Sequence, residues 1–468
     1  MHDRSAPAGT ILTVTSLLCM LPFLVSCFYW HPVGTHAVDW ISNWGGKYDT
    51  VSWWEQQLDW YTTTMGRYSS TALLSTVGNW YRLSTARIVV LVLHLALGGA
   101  LFFLASTLLQ NWKTGLVVTL TVLALYLSQL SNPYDSLYRL TGLFIYQTGL
   151  ISSLVLAGLL WRGHIFLALP VIVFTVGTNE ISLLHTGLLI GSYILLRPEC
   201  LRTPAGWSLI VTAALSAAVA LLAPGNWVRA DLYHSAAFSD LTLVGVVIAS
   251  GVYLMVSWIS STSLLPILLL CGALLPRISF TRRQRQFTIL MSLVLPVLSV
   301  APVLVATRGE SLPEGITDWQ IIPTVMLLIM VVTSLPRLIL PGKAIVTLAV
   351  FIGLANLLGG LYIDRGREGP PRGPIDRIVI ASPPGAAWLQ LLTGKTQRYD
   401  QSVERQYAVA QECEAGDCVV PPMAESETYL YDASYDRRVL PYGDPWFGYL
   451  VNRPDIVVFA KQPAVERR

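Results

Sequence analysis

Residues 87–109 read Arg-Ile-Val-Val-Leu-Val-Leu-His-Leu-Ala-Leu-Gly-Gly-Ala-Leu-Phe-Phe-Leu-Ala-Ser-Thr-Leu-Leu, and no charge follows Arg87 until Lys113. A run of about 20 mostly apolar residues is long enough to cross the hydrocarbon core as a helix, the form in which the segment satisfies its own backbone there. Ten other segments share this texture: 9–29, 116–130, 143–160, 165–177, 181–196, 206–222, 259–275, 287–306, 321–336 and 344–363. About eleven crossings are expected, the shorter ones tilted, in thinned bilayer or as half-helices. The first segment reads as an anchor, since no small-residue cleavage site precedes Tyr29.

Composition agrees with this reading. The 468-residue chain is 53% hydrophobic and 13% charged, against about 25% charged in soluble domains. Of 59 charged residues, 28 lie between Asp364 and Arg468. The chain therefore divides into a membrane body, 1–363, and a water-soluble tail, 364–468. A cytosolic enzyme, a disordered scaffold and a nucleic-acid partner are excluded, because neither a basic stripe nor a low-complexity run is present.

Short-loop Lys and Arg set the orientation. With the N-terminus inside, the inner turns collect Arg4, Lys113, Arg162, Arg197, Arg202, Arg277, Arg282, Arg283, Arg285, Arg337 and Lys343, whereas the short outer turns hold Arg139, Arg229 and Arg308. An odd number of crossings places the tail outside with the loop 30–86. The Arg277–Arg285 cluster leaves one crossing for 237–276, so 237–257 is expected to be interfacial or re-entrant.

The loop 30–86 carries seven of the fifteen Trp, Trp30, Trp40, Trp44, Trp53, Trp54, Trp60 and Trp80, and indoles favour the membrane interface. Val51, Trp54, Leu58 and Tyr61 recur at helical spacing, with Glu55, Gln56, Asp59 and Thr62 on the other side; this predicts a helix lying flat on the bilayer. In the tail, Pro370, Pro371 and Pro374 precede short β-rich runs around Ile378, Thr428 and Ile456, which predicts a small mixed α/β domain. Cys413 and Cys418 suit a small disulfide loop better than a zinc pair, which lacks nearby His. Cys19, Cys27, Cys200 and Cys271 read as apolar filler or loop residues.

The candidate chemistry lies in polar groups where hydrocarbon is expected. Glu180, in Gly177-Thr178-Asn179-Glu180, sits at a turn between short apolar segments and marks a functional site by default. The alternative is a turn capped by Thr178 or Asn179, with Glu180 complementing the helix dipole. In Ala223-Pro224-Gly225-Asn226-Trp227-Val228-Arg229, Pro stops a helix, Gly permits a sharp turn, and free amides with Asn226 and Arg229 suit a phosphate. A plain helix end with a snorkelling arginine competes with that reading. Arg67, in Gly66-Arg67-Tyr68, faces either lipid headgroups or a bound anionic lipid phosphate or diphosphate. Asp39 is a candidate proton acceptor, although most loop aspartates are simply solvated. Tyr134, Asp135, Tyr138 and Arg139 either line the same outer opening or form a polar interfacial turn. Phosphate-binding Gly-Lys loops, His-Glu-x-x-His and Gly-x-Ser-x-Gly are absent from the sequence.

The order of these motifs, with Cys418-Val419-Val420-Pro421 and an aromatic segment around Trp446, resembles a group of bacterial polytopic membrane proteins carrying Ala-Pro-Gly-Asn-x-x-Arg. More widely it resembles the GT-C superfamily of integral membrane glycosyltransferases. The resemblance implies an enzyme of the bacterial inner membrane, N-terminus cytoplasmic, that moves a sugar from a polyprenyl-phosphate donor to a cell-envelope glycan, lipid or protein acceptor on the outer face. It implies Asp39 as the base, Arg67 and Arg229 as phosphate ligands, and Tyr68, Tyr138, Arg139, Asn179, Glu180 and Asn226 around the substrate. The resemblance fixes no cofactor beyond the polyprenyl-phosphate sugar as donor substrate, and a divalent metal is left open. Where many such enzymes have adjacent acids in the first loop, Val38 precedes Asp39, which leaves Asp49 and Asp59 as rival bases. The competing functions are a transporter or flippase of a lipid-linked glycan and a noncatalytic envelope-assembly protein.

Overall fold

The structure is a computed structural model that describes residues 6–29, 52–78, 83–130, 133–232, 240–259, 263–306, 318–358, 362–363, 378–379, 382–421 and 456–460. Helices dominate it. In chain order they are α1 (Ala6–Ser26), α2 (Trp53–Thr63), α3 (Tyr68–Gly78), α4 (Leu83–Leu109), α5 (Trp112–Ser128), α6 (Leu140–Arg162, with a π-turn at Leu143–Gln147), α7 (Ile165–Val176) and α8 (Glu180–Leu196). There follow α9 (Pro204–Leu221), α10 (Pro224–Leu232), α11 (Asp240–Ile259), α12 (Leu264–Leu274), α13 (Arg282–Ala306), α14 (Ile321–Ser334, entered through a 3-10 turn Asp318–Gln320), α15 (Gly342–Leu358), α16 (Pro383–Leu392) and α17 (Lys395–Glu412).

Among the described residues, five helices are long and apolar enough to cross a membrane: Pro7–Ser26, Arg87–Leu109, Leu140–Arg162, Pro204–Leu221 and Arg282–Pro302. Their outer faces are as apolar as their inner ones. On α4, Ile88, Val92 and Leu95 are exposed while Val90, Leu97, Leu101 and Ala105 are buried. A helix apolar all round needs an apolar surround, and the chain is a helical membrane protein. Many hydroxyls inside the bundle bond to a carbonyl of their own helix, as when Thr119 donates to Gly115 O at 2.8 Å and Thr186 to Ser182 O at 2.8 Å.

Long-range hydrogen bonds sort the helix ends into two sets. At one end, Tyr138 Oη donates to Phe23 O at 3.0 Å, Tyr61 Oη to Val219 O at 2.9 Å, and Tyr68 Oη to Val173 O at 2.9 Å. The helices after the bundle dock at this end, where Trp388 Nε1 donates to Leu18 O at 2.8 Å and Arg87 pairs with Asp400 at 2.7 Å. At the other end, Arg197 donates to Trp161 O at 3.2 Å, Ile278 N to Thr333 O at 3.3 Å, and Leu338 N to Gly272 O at 3.3 Å. The described parts of 30–86 and of the tail thus share one end, called here the docking end. Lys113, Arg162, Arg197, Arg202, Arg277, Arg282, Arg283, Arg285, Arg337 and Lys343 occupy the other, the basic end.

Three expectations are modified. Residues 240–259 form one unbroken helix of 20 residues along α13, with Gly251 against the Val297 backbone, and not a broken re-entrant loop. Because α10 is held at the docking end and the last turn of α12 at the basic end, α11 and α12 together make one net passage. Second, α2 leaves Trp54 and Leu58 outward at 76% and 63% exposure, but Gln56, assigned to the polar outer side, is buried with Trp60. The reason is that α2 leans on α3 and α10, which cover Gln56 and Trp60 while Glu55 and Thr62 stay exposed. Third, Pro224 opens α10 as well as closing α9, in keeping with proline's fitness for a first helical turn.

Beyond the bundle, α16 is capped by Ser382, whose Oγ accepts from Gly385 N at 3.2 Å, and is followed by α17. The strands are short: β1 (Tyr362–Ile363) pairs antiparallel with β2 (Ile378–Val379), and β3 (Gly416–Val420) parallel with β4 (Ile456–Ala460). Cys413 and Cys418 form a disulfide at the start of β3. Cys19, Cys27 and Cys200 are buried free thiols, and Cys271 is half-buried.

Candidate functional site

The α2–α3 turn is held between two helix ends. Gly66 N donates to Asn226 Oδ1 at 3.0 Å, and Asn226 Nδ2 donates to Ala220 O at 2.8 Å and Leu221 O at 3.3 Å. Both glycines are steric necessities. A Cβ on Gly225 would lie 2.5 Å from the Thr64 and Met65 nitrogens, and one on Gly66 would overlap the Ala220 carbonyl. Ser69 N then donates to Gly177 O at 2.9 Å, which sets the turn beside the start of α8. There Asn179 is the N-cap: its Oδ1 accepts from Ser182 N at 2.9 Å while Nδ2 reaches Ile145 O at 2.6 Å.

This framework brings Arg67 onto Glu180. Arg67 Nε lies 3.2 Å from each carboxylate oxygen and Nη2 2.8 Å from Oε2. The side chains are 12% and 34% exposed. The guanidinium also sits 5.9 Å from the centroid of the Tyr146 ring. Burial opposes the charge on Arg67, but Glu180, assisted by Tyr146, outweighs it and moves its pKa upward. Arg67 therefore stays charged. Glu180 also lies in the first turn of α8, where the helix dipole favours an anion.

A polar layer continues from this pair across the docking end. The Tyr146 ring lies 5.6 Å from Trp319; Trp319 Nε1 donates to Ser136 O at 3.0 Å; and Ser136 Oγ donates to Asp318 Oδ2 at 2.8 Å. One residue further, Gln320 Oε1 accepts from Ser299 Oγ at 2.9 Å, and Ser299 Oγ lies 3.1 Å from His185 Nε2. Asp318, 7% exposed, is the most deeply buried carboxylate among the described residues. It is not among the residues expected at the site. Its signal was available, an acid set directly before the apolar run 321–336.

Of the residues expected around a substrate, Arg67, Tyr68, Asn179, Glu180 and Asn226 meet at this end. Three of them, Tyr68, Asn179 and Asn226, are occupied by the protein itself. The side-chain amides of Asn226 and Asn179 are spent on backbone groups, and the capped-turn reading describes Asn179. Tyr138 is completely buried and bonded to Phe23 O, which makes it a packing residue of α1 and not the lining of an opening. Arg139 is half-buried before the first turn of α6. Asp59 is half-buried on α2. Arg229 belongs to α10, its side chain outside the described residues, as are Asp39 and Asp49. Among the described residues, no three His, Cys, Asp or Glu side chains cluster to hold a metal ion.

Below the polar layer, a cavity of about 380 Å³ runs between α4, α6, α8, α13 and α14. Leu150, Leu154, Leu188, Leu295 and Met326 give it apolar walls, His185 lies toward the docking end, and Arg197 and Gln284 lie at the basic end. His185 is five residues along α8 from Glu180, or about 7.5 Å deeper at 1.5 Å per residue. No family model, curated protein or solved structure matches the chain.

Proposed function

We propose that the chain is a GT-C-like glycosyltransferase of the bacterial inner membrane, with about eleven crossings, a cytoplasmic N-terminus and an extracytoplasmic C-terminal α/β domain. It moves a sugar from a polyprenyl-phosphate donor to an envelope acceptor. The observation that carries this reading is the partly accessible Arg67–Glu180 pair, set with Tyr146 at the membrane end where the aromatic loop and the tail also converge. In the reaction, the acceptor hydroxyl attacks the anomeric carbon and gives its proton to a carboxylate, Asp39 in this reading. The bond from that carbon to the phosphate oxygen breaks, and its electron pair leaves on the lipid phosphate. A cation beside that phosphate stabilises the developing charge. Arg67 and Arg229 are the proposed cations, and Glu180 sets the position of Arg67.

The test uses the purified full chain in proteoliposomes with a panel of polyprenyl-phosphate sugars and envelope-glycan acceptors. Sugar transfer is expected, and Asp39→Ala should lower turnover by about 100-fold or more while donor binding persists. Transfer retained by Asp39→Ala moves the base to Asp49 or Asp59. Transfer surviving all three changes ends the general-base proposal, and translocation of the lipid-linked sugar without transfer replaces the enzyme with a flippase.

A further inference from the structure

The cavity between α6, α8, α13 and α14 has a directional build. Toward the docking end it reaches His185, which is engaged with Ser299, as Ser299 is with Gln320. Its middle is hydrocarbon-like. Toward the basic end it meets Arg197, Gln284 and an aromatic rim, in which Trp161 lies 6.3 Å from Phe280 and the Arg197 guanidinium 5.5 Å over Tyr193. Arg197 is exposed and anchored by one bond, from Nη2 to Trp161 O at 3.2 Å.

The surrounding charge is one-sided. The basic end carries Lys113, Arg162, Arg197, Arg202, Arg277, Arg282, Arg283, Arg285, Arg337 and Lys343, and among the described residues Glu199 is the acid beside them. Basic pockets between transmembrane helices are suited to anionic lipid headgroups. Aromatic rims suit the same depth, since indole and phenol rings sit at the membrane interface.

We propose that this cavity binds an anionic glycerophospholipid of the leaflet at the basic end, with one acyl chain along the groove and the phosphate at Arg197 and Gln284. The polarity of the cavity decides against a donor lipid in the same place. A polyprenyl phosphate serving Arg67 has its phosphate at the docking end, whereas the cavity reaches only as far as His185 and is not lined by Arg67 or Glu180. The lipid site is thus separate from glycosyl transfer and stands whether or not that reading holds.

Native mass spectrometry of the full chain, purified from nanodiscs of equal phosphatidylglycerol and phosphatidylcholine with matched acyl chains, tests it. Phosphatidylglycerol should be retained in clear excess. Arg197→Gln should weaken that retention by about fivefold, the effect of one basic residue near an anionic surface. Ser192→Phe, which fills the groove from α8, should reduce it to the phosphatidylcholine level. Should Ser192→Phe not fold, Arg197→Gln decides alone. Equal retention of the two lipids overturns the proposal, as does phosphatidylglycerol binding that ignores the folded variants. So does displacement of phosphatidylglycerol by decaprenyl phosphate in a manner lost in Arg67→Gln, since the cavity would then belong to the carrier lipid.

Discussion

Asn226 illustrates how a residue chosen for ligand chemistry can be consumed by the fold. Its amide has one acceptor and two donor positions, and the structure uses it between Gly66 N, Ala220 O and Leu221 O. Asn226→Ala leaves those backbone groups without that partner, and an unsatisfied buried group costs about 1–3 kcal/mol. Thermal unfolding in detergent should show a loss of that size, and a variant as stable as the parent would refute the clamp. Arg67 is the contrasting case. Its charge is retained against burial by Glu180, so it is a cation already in place at the docking end. The sequence suggested Arg67 and Glu180 separately; their pairing is a fact of contact across 113 positions of chain.

Helix α2 is an element whose start can be followed by pH. Ser52 and Glu55 form a capping box: Glu55 Oε2 accepts from Ser52 Oγ at 2.7 Å and from Ser52 N at 2.9 Å, while Ser52 Oγ accepts from Glu55 N at 3.3 Å. The Ser52 hydroxyl, then its backbone N–H, holds the Glu55 pKa below its ordinary value. A depressed carboxylate pKa contributes stability above the unfolded-state value and loses it as pH falls through the folded-state value. Hydrogen exchange of the first turn of α2, corrected for intrinsic rates, should therefore accelerate only below the usual carboxylate range. Glu55→Gln should remove that pH response. An unchanged response in Glu55→Gln would show that another group governs the turn.

At the scale of the molecule, the two sets of helix ends make a topological prediction. Single cysteines placed at Ser52 and Lys395 should be labelled from one face of sealed vesicles, and cysteines at Arg202 and Thr281 from the other. Labelling of Ser52 and Lys395 from opposite faces would defeat both the bundle description and the proposed reaction. The one-passage accounting for α11 and α12 belongs to this scale as well, because it follows from bonds between distant ends, such as Ile278 N to Thr333 O, and from no property of either segment alone.

The apolar runs, the scarcity of charge and the uneven spread of Lys and Arg were legible along the chain. Each is a local or compositional quantity, and the transfer of side chains between water and hydrocarbon depends on little else. The sequence by itself therefore determined a helical membrane protein and separated its basic turns from the rest. Tertiary structure alone decided which polar groups meet. Glycine contacts seat the α2–α3 turn, Asn179 and Asn226 become fasteners, Arg67 finds Glu180, and Asp318 is buried against Ser136 from 182 positions away. Close packing selects such partners by shape and by hydrogen-bond satisfaction across the whole bundle, and periodicity within one segment carries no record of that selection.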